Sequence, residues 1–241
     1  MVGVEGGDGG PATGLTAAAV RAGYDAAAQM WASGPAHMYA VLAQALLAAA
    51  PVPVAGRRVL DLGAGTGVAG RAALAAEAGQ VVAADLAPGM LRLSGAILHP
   101  VAADAAALPF RDGSFDLVVA AFCLNHLTSI VPELREVRRV APAIAASTFA
   151  AGWSHPAKDA VDGVLHAAGF GDVRVRTVTV ATGLSSPAQL ASWRLGMAHV
   201  APFLRALDAA AREEIRRAAE RAVASTSAGP LVVPMVVLAA K

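Results

Sequence analysis

One short stretch, Val59-Leu60-Asp61-Leu62-Gly63-Ala64-Gly65-Thr66-Gly67, limits the possible folds more than any other part of this 241-residue chain. An apolar run meets an acid, one more apolar residue, and then glycines at alternate positions. The pattern predicts a buried parallel strand, a tight turn and the start of a helix. Glycine suits such a turn because its backbone angles are closed to residues with a Cβ. The missing side chains also let a ligand lie against the backbone, at a helix N-terminus that attracts negative charge. A nucleotide-like ligand is the first expectation.

Two cofactor classes fit that expectation. Gly65-Thr66-Gly67-Val68-Ala69-Gly70 matches the Gly-x-Gly-x-x-Gly dinucleotide fingerprint, a weak signal in a chain with 24 glycines. Asp61 points the other way. A carboxylate just before the loop suits a ligand with a positive group and is unhelpful beside a pyrophosphate. S-adenosylmethionine carries an ammonium and a sulfonium, whereas nicotinamide dinucleotides carry two phosphate charges. The whole string closely resembles the first motif of class I S-adenosylmethionine-dependent methyltransferases.

Later segments extend the resemblance in order and spacing over roughly residues 55–150. Val81-Val82-Ala83-Ala84-Asp85-Leu86 is a second apolar run ending in an acid, which can accept both hydroxyls of a ribose. An acid there serves dinucleotide enzymes too, so Asp85 indicates a ribose without choosing the cofactor. Ala102-Ala103-Asp104-Ala105 and Leu108-Pro109-Phe110 follow, then Phe115-Asp116-Leu117-Val118-Val119-Ala120, then the helical Glu133–Val140 segment. The family's usual Lys-Pro-Gly-Gly-like turn is replaced here by Ala141-Pro142-Ala143, which predicts a shorter turn before the fifth strand.

Composition bounds the remaining choices. Nineteen Lys plus Arg against eighteen Asp plus Glu leave no electrostatic footprint for nucleic acid. The Asn/Asp-Pro-Pro-Tyr/Phe motif of many DNA and protein-glutamine methyltransferases is replaced by Cys123-Leu124-Asn125-His126-Leu127, which favours a small-molecule substrate. Hydrophobic residues make up 56%, but much of this is alanine, and no window reaches 18 uninterrupted apolar residues, so no membrane span is expected. Residues 1–14 have neither a basic segment nor an apolar core; they read as a disordered leader and not as a secretory signal. The single cysteine, Cys123, fits a reducing cytoplasm and reads as a small buried hydrophobe. The six His are scattered, without the spacing of a metal site.

Strands are expected at 57–62, 80–85, 97–102, 115–122, 143–150, 172–181 and 231–239, alternating with helices as far as the sixth. This is an α/β chain: a Rossmann-like, seven-stranded, mostly parallel sheet with helices on both faces. The resemblance implies an antiparallel last strand. One domain is expected over residues 15–241. Its N-terminal helical cap, 15–54, is broken near Ser33-Gly34-Pro35 and expected at the sheet edge. A helical insertion at 187–224, with helices at 187–199 and 208–224, should lid the substrate pocket.

Ligands of such sheets bind outside the carboxyl ends of the strands, which ranks the candidates. Gly63, Ala64, Gly65 and Gly67 are expected at the cofactor, with Asp85 on the ribose and Leu86 against the adenine face. The resemblance further implies that Asp61 orients the methionine amino group, that Asp104 with the Ala105 amide receives the adenine amino group, and that Tyr24 lies over the methionine tail. His126, after the fourth strand, is the candidate catalytic base or acceptor-orienting group, with Asn125 beside it. Trp153 and His155, after the fifth strand, are candidates for acceptor contact. Trp31, His37, Met38, Trp193, Met197 and His199 could line the lid, though core packing is the default for each, and His166 has no partner in view.

The resemblance implies an S-adenosylmethionine-dependent methyltransferase acting on a small molecule. The alanine-rich, arginine-over-lysine composition suggests bacterial specialised metabolism and natural-product biosynthesis. Rival expectations are a cyclase-like enzyme that binds the same cofactor without methylating, an NAD-linked oxidoreductase, and a binding protein on a degenerate scaffold. Oligomeric state is open, a homodimer being one candidate.

Overall fold

A computed structural model describes residues 16–127, 129–149, 158–226 and 229–241. Its seven strands are β1 (Arg58–Leu62), β2 (Gln80–Asp85), β3 (Val101–Ala102), β4 (Leu117–Ala121), β5 (Ile144–Phe149), β6 (Arg174–Ala181) and β7 (Val232–Ala240). They form one sheet in the order β3-β2-β1-β4-β5-β7-β6. β1 pairs in parallel with β2 and β4, and β4 with β5, while β7 runs antiparallel between β5 and β6. The reversal between β1's two neighbours opens a crevice at the strand ends, where open α/β sheets bind ligands.

The helices are α1 (Ala17–Ser33), α2 (Pro35–Leu47), α3 (Val68–Ala75), α4 (Pro88–Leu91), α5 (Ile130–Val140), α6 (Lys158–Ala167), α7 (Pro187–Leu195), α8 (Ala201–Arg205) and α9 (Ala209–Ala224). Local chemistry sets their ends. The Thr16 hydroxyl accepts from the Ala19 N–H to start α1, and Pro35 opens α2, at the position where its missing N–H costs nothing. A reciprocal capping box of Ser186 and Gln189 starts α7. In α5, Leu134, Val137 and Val140 are buried while Arg138 and Arg139 lie in its last turn, where cations suit the helix dipole.

Two cores flank the sheet. One joins Val59, Val81, Val119 and Ala145 to α2 and α3; the other joins Leu60, Val118 and Ile144 to α5 and α6. Alternate residues of β1 thus face opposite cores, as the period of a strand demands. No α9 residue is buried, and Glu213 pairs there with Arg216 and Arg217, so the mixed charges of this helix mark a solvated face.

Two boundaries and one placement differ clearly from expectation. β3 keeps only Val101–Ala102 of the strand expected at 97–102: Ala96–Leu98 form a 3-10 turn, and His99 takes φ +45°. Pro100, which lacks an N–H, delays pairing further. The helix expected at 187–199 stops at Leu195, and α8 follows. A Cβ on Gly196 would lie 2.4 Å from Pro35 Cδ, so the end of α7 docks directly on the α1–α2 break. Finally, α2 packs on α3, β4, β5 and β6. Of the N-terminal helices, α2 therefore covers a face of the sheet and not its edge, because it is apolar on most sides. Among the described residues, no helix is long and apolar enough to cross a membrane.

Candidate cofactor and acceptor site

A cavity of about 400 Å³ opens at the carboxyl ends of β1, β2, β4 and β5. That falls within the range of small-molecule sites, roughly 300–1,000 Å³. Gly63, Ala64 and Gly65 form its floor, and Asp85, Leu86, Asp104 and Ala105 one side. Tyr24 and His126 close over it from α1 and from the Leu124–His126 turn after β4. Most of the expected site residues therefore share one cavity. Asp61 and Gly67 are outside its lining, beneath and behind the loop.

The loop is fixed from both sides. Gly63 has φ +65°, and a Cβ there would sit 2.4 Å from the Cβ of Cys123, so both conformation and close approach require glycine. The Asp85 carboxylate accepts from the Gly65 N–H at 2.7 Å and from the Ala87 N–H at 2.7 Å. Burial raises its pKa above the ordinary carboxylate value, and those two donors oppose the rise. Each oxygen keeps further acceptor capacity. Asp104 turns its Oδ1 to the Ala106 N–H at 2.9 Å.

Asp61 lies fully inside. Its Oδ2 accepts from the Gly70 N–H at 2.6 Å, tying β1 to α3, and its Oδ1 has no hydrogen-bond partner. Burial pushes its pKa up to about 7, against the help of the Gly70 N–H; Asp85 raises it further and Arg71 lowers it. A carboxylate buried beneath a glycine loop favours positive charge in a ligand above it. The cavity lining agrees in sign: it contains Asp85, Asp104 and Glu133 and, among the described residues, no Lys or Arg. These groups fit a ligand with a ribose and positive charge better than one with a pyrophosphate.

Over the cavity, Tyr24 Oη and His126 Nε2 are 2.9 Å apart, with the rings edge to face at 5.4 Å. Burial, aided by Asp85, raises the Tyr24 phenol to about 12, so it stays protonated and can donate to the imidazole. Burial lowers the His126 pKa, which keeps the ring neutral near pH 7. Asn125 Nδ2 lies 3.3 Å from the same nitrogen.

Aromatic rings continue from this pair. Tyr24 meets Trp31 at 5.5 Å, Trp31 meets Tyr39 at 4.9 Å, and Tyr39 meets Phe122 at 5.1 Å and Phe149 at 5.8 Å. All five line the cavity. Phe122 takes φ +58° directly after β4, a strained conformation that turns the chain at the cavity wall. Sequence reasoning placed Trp31 only as a possible lid residue and missed Tyr39, Phe122 and Phe149. The one available signal was the scarcity of aromatics, 5% of the chain.

The other candidates divide. Met197 and His199, from the segment after α7, line the cavity, so the insertion does reach it; His37, Met38 and Trp193 do not. His166 is engaged elsewhere, its Nδ1 2.9 Å from the Phe170 carbonyl oxygen. Burial raises the Cys123 thiol, which sits against Gly63 as a small apolar group. Trp153, His155 and the leader at 1–14 lie outside the described residues. Among those described, no cluster of His, Cys, Asp and Glu could hold a metal.

Comparison with known proteins adds a family. Residues 60–142 match the family described as "Methyltransferase domain". A demethylmenaquinone methyltransferase of Clavibacter sepedonicus is 48% identical over 97 residues, covering 38% of this chain and 39% of that protein. A malonyl-[acyl-carrier protein] O-methyltransferase of Halorhodospira halophila is 39% identical over 138 residues, covering 54% and 47%. The matches thus span less than half the length of these relatives. Among solved structures, the [4+2]-cyclase SpnF superposes with a TM-score of 0.61 at 16% identity, over 95% of this chain and 97% of that one. Haemonchus contortus phosphoethanolamine N-methyltransferase 2, in complex with S-adenosyl-L-methionine, gives 0.56 at 18% identity, over 83% and 52%. At those identities the likeness concerns the fold.

Proposed function

We propose that this chain, whose residues 60–142 match a methyltransferase domain, is a class I S-adenosylmethionine-dependent methyltransferase that transfers a methyl group to a small-molecule acceptor. The observation that carries the reading is the single cavity in which the glycine loop, Asp85 and Asp104 lie on one side and the Tyr24–His126 pair on the other. Bound S-adenosylmethionine supplies a methyl activated by a sulfonium. The backbone of Gly63 to Gly65 receives its amino-acid end, with Asp61 beneath as the balancing negative charge. Asp85 accepts from the ribose hydroxyls, Leu86 packs on the adenine, and Asp104 with the Ala105 amide takes the adenine amino group.

The residues' share of the chemistry is alignment and one proton. Holding two reactants in line can supply roughly 7–11 kcal/mol of the barrier. An oxygen or nitrogen nucleophile must also lose a proton, and neutral His126 can take it at Nε2, directly or through the Tyr24 hydroxyl. Such general-base help is typically worth about 10²–10⁴ in rate. The same reading puts the enzyme in bacterial specialised metabolism and in the cytoplasm. Composition supports the first of these, and the lone cysteine with the lack of an apolar span supports the second.

Titration calorimetry with S-adenosylmethionine, S-adenosylhomocysteine and NADH tests the cofactor, and mass spectrometry of acceptor mixtures tests the methyl transfer. Binding of the first two, with methylated product, is the expected result. Binding of NADH alone would overturn the reading. Tight S-adenosylmethionine binding with the methyl never consumed would move the protein to the non-methylating, cyclase-like class.

A further inference from the structure

We infer that the acceptor is a flat, uncharged, aromatic molecule whose hydroxyl lies at the Tyr24–His126 pair; this rests on the reading of the cavity as a methyltransferase site. The first argument is where the chain puts its rings. It has only three Trp, two Tyr and six Phe, and five of them line this one cavity, including both tyrosines. Elsewhere the core is filled largely with Ala, Leu and Val. Trp31, Tyr39 and Phe122 belong to the core on one side and, with Tyr24 and Phe149, line the cavity on the other, so their convergence there fits stacking and edge-to-face contact with a planar ligand.

The second argument is electrical. The described lining holds three carboxylates and no Lys or Arg. An acceptor carrying a carboxylate or phosphate would lose its water here and find no Lys or Arg among the described lining to pair with, an arrangement that buried sites avoid. A cationic acceptor would have to approach the positively charged sulfonium of the bound cofactor.

The third argument is the one polar break in that wall. Tyr24 Oη and His126 Nε2 offer a donor and an acceptor side by side, 2.9 Å apart. A neutral hydroxyl can bond to both. In the transfer, the acceptor oxygen forms its bond to the methyl as the sulfur–methyl bond breaks. The hydroxyl proton passes to His126 Nε2, through the Tyr24 hydroxyl when Tyr24 stands between them.

Matched probes test the class. Binding of 2-naphthol, 2-naphthoate and 2-naphthylmethylammonium is measured by calorimetry on full-length protein saturated with S-adenosylhomocysteine. We expect 2-naphthol to bind at least about tenfold more tightly than either ion, and Phe149→Leu to weaken it severalfold. Met197→Lys, which puts a cation at the cavity, should narrow the gap between naphthol and naphthoate. Equal or tighter binding of naphthoate or of the ammonium to wild-type protein overturns the inference, as does binding of none of the three. Binding of S-adenosylhomocysteine, recorded in the same experiment, separates that failure from failure of the cofactor reading.

Discussion

Replacing Asp61 by Asn should reshape how stability depends on pH. Asp61 is 1% exposed, its Oδ1 is orphaned, and its pKa rises from 3.8 to about 7 on folding. A raised carboxyl pKa means that the folded chain holds the proton more tightly than the unfolded one. Its stabilising share is complete below about pH 4, declines as the pH climbs toward 7, and is gone above that. A shift of about three units corresponds to at most about 4 kcal/mol, at 1.36 kcal/mol per unit. Asn carries no charge at any pH and can still accept from the Gly70 N–H, so whatever it costs in packing is constant. Urea unfolding of both proteins at several pH values between 4 and 8 isolates the effect, because the other titrating groups cancel in the difference. The variant should gain on the wild type by up to about 4 kcal/mol over that interval. Parallel curves, with a difference that stays constant within about 0.5 kcal/mol, would refute the claim that burial raises the Asp61 pKa.

Other outcomes follow from the same geometry. Asp85→Ala removes an acceptor from two backbone N–H groups as well as from the ribose; S-adenosylhomocysteine affinity should fall by roughly tenfold or more, with a lower melting temperature but a folded protein, as calorimetry will show. His126→Ala should cut turnover by about 10²–10⁴ while leaving cofactor affinity nearly unchanged. Because burial lowers the pKa of His126, the acid limb of the kcat profile should lie below the ordinary histidine range; a limb above that range would remove His126 as the base. Gly63→Ala forces a Cβ to 2.4 Å from Cys123 at φ +65°, and thermal unfolding should show a loss of about 1–3 kcal/mol.

Much of this was legible in the sequence because the fold's signals are local. The run into Gly63, the acids ending β1 and β2, and the alternation of apolar runs with helical segments each report on a few neighbouring residues. What was not legible depends on residues far apart in the chain. Nothing near Asp61 says that its carboxylate accepts from the Gly70 N–H and stays outside the cavity lining. Nothing near Tyr39 or Phe149 says that their rings meet. The shortened β3 could have been foreseen from Gly95 and Pro100, which break a strand, had they been weighed against the apolar residues between them. The placement of α2 on a face depended on where its apolar sides found partners, which is a tertiary outcome.

The chain of rings along the cavity has an optical consequence. Both tyrosines of the protein, Tyr24 and Tyr39, lie within 5.5 Å of Trp31, centroid to centroid. Those spacings suit transfer of excitation from either tyrosine to that indole, and asymmetric contacts among these rings add near-ultraviolet dichroism that originates at the binding cavity. An unlabelled sample carries its own reporter: when a ligand slides between those rings, emission and dichroism change together, and the occupancy of the site can be followed in real time without a dye.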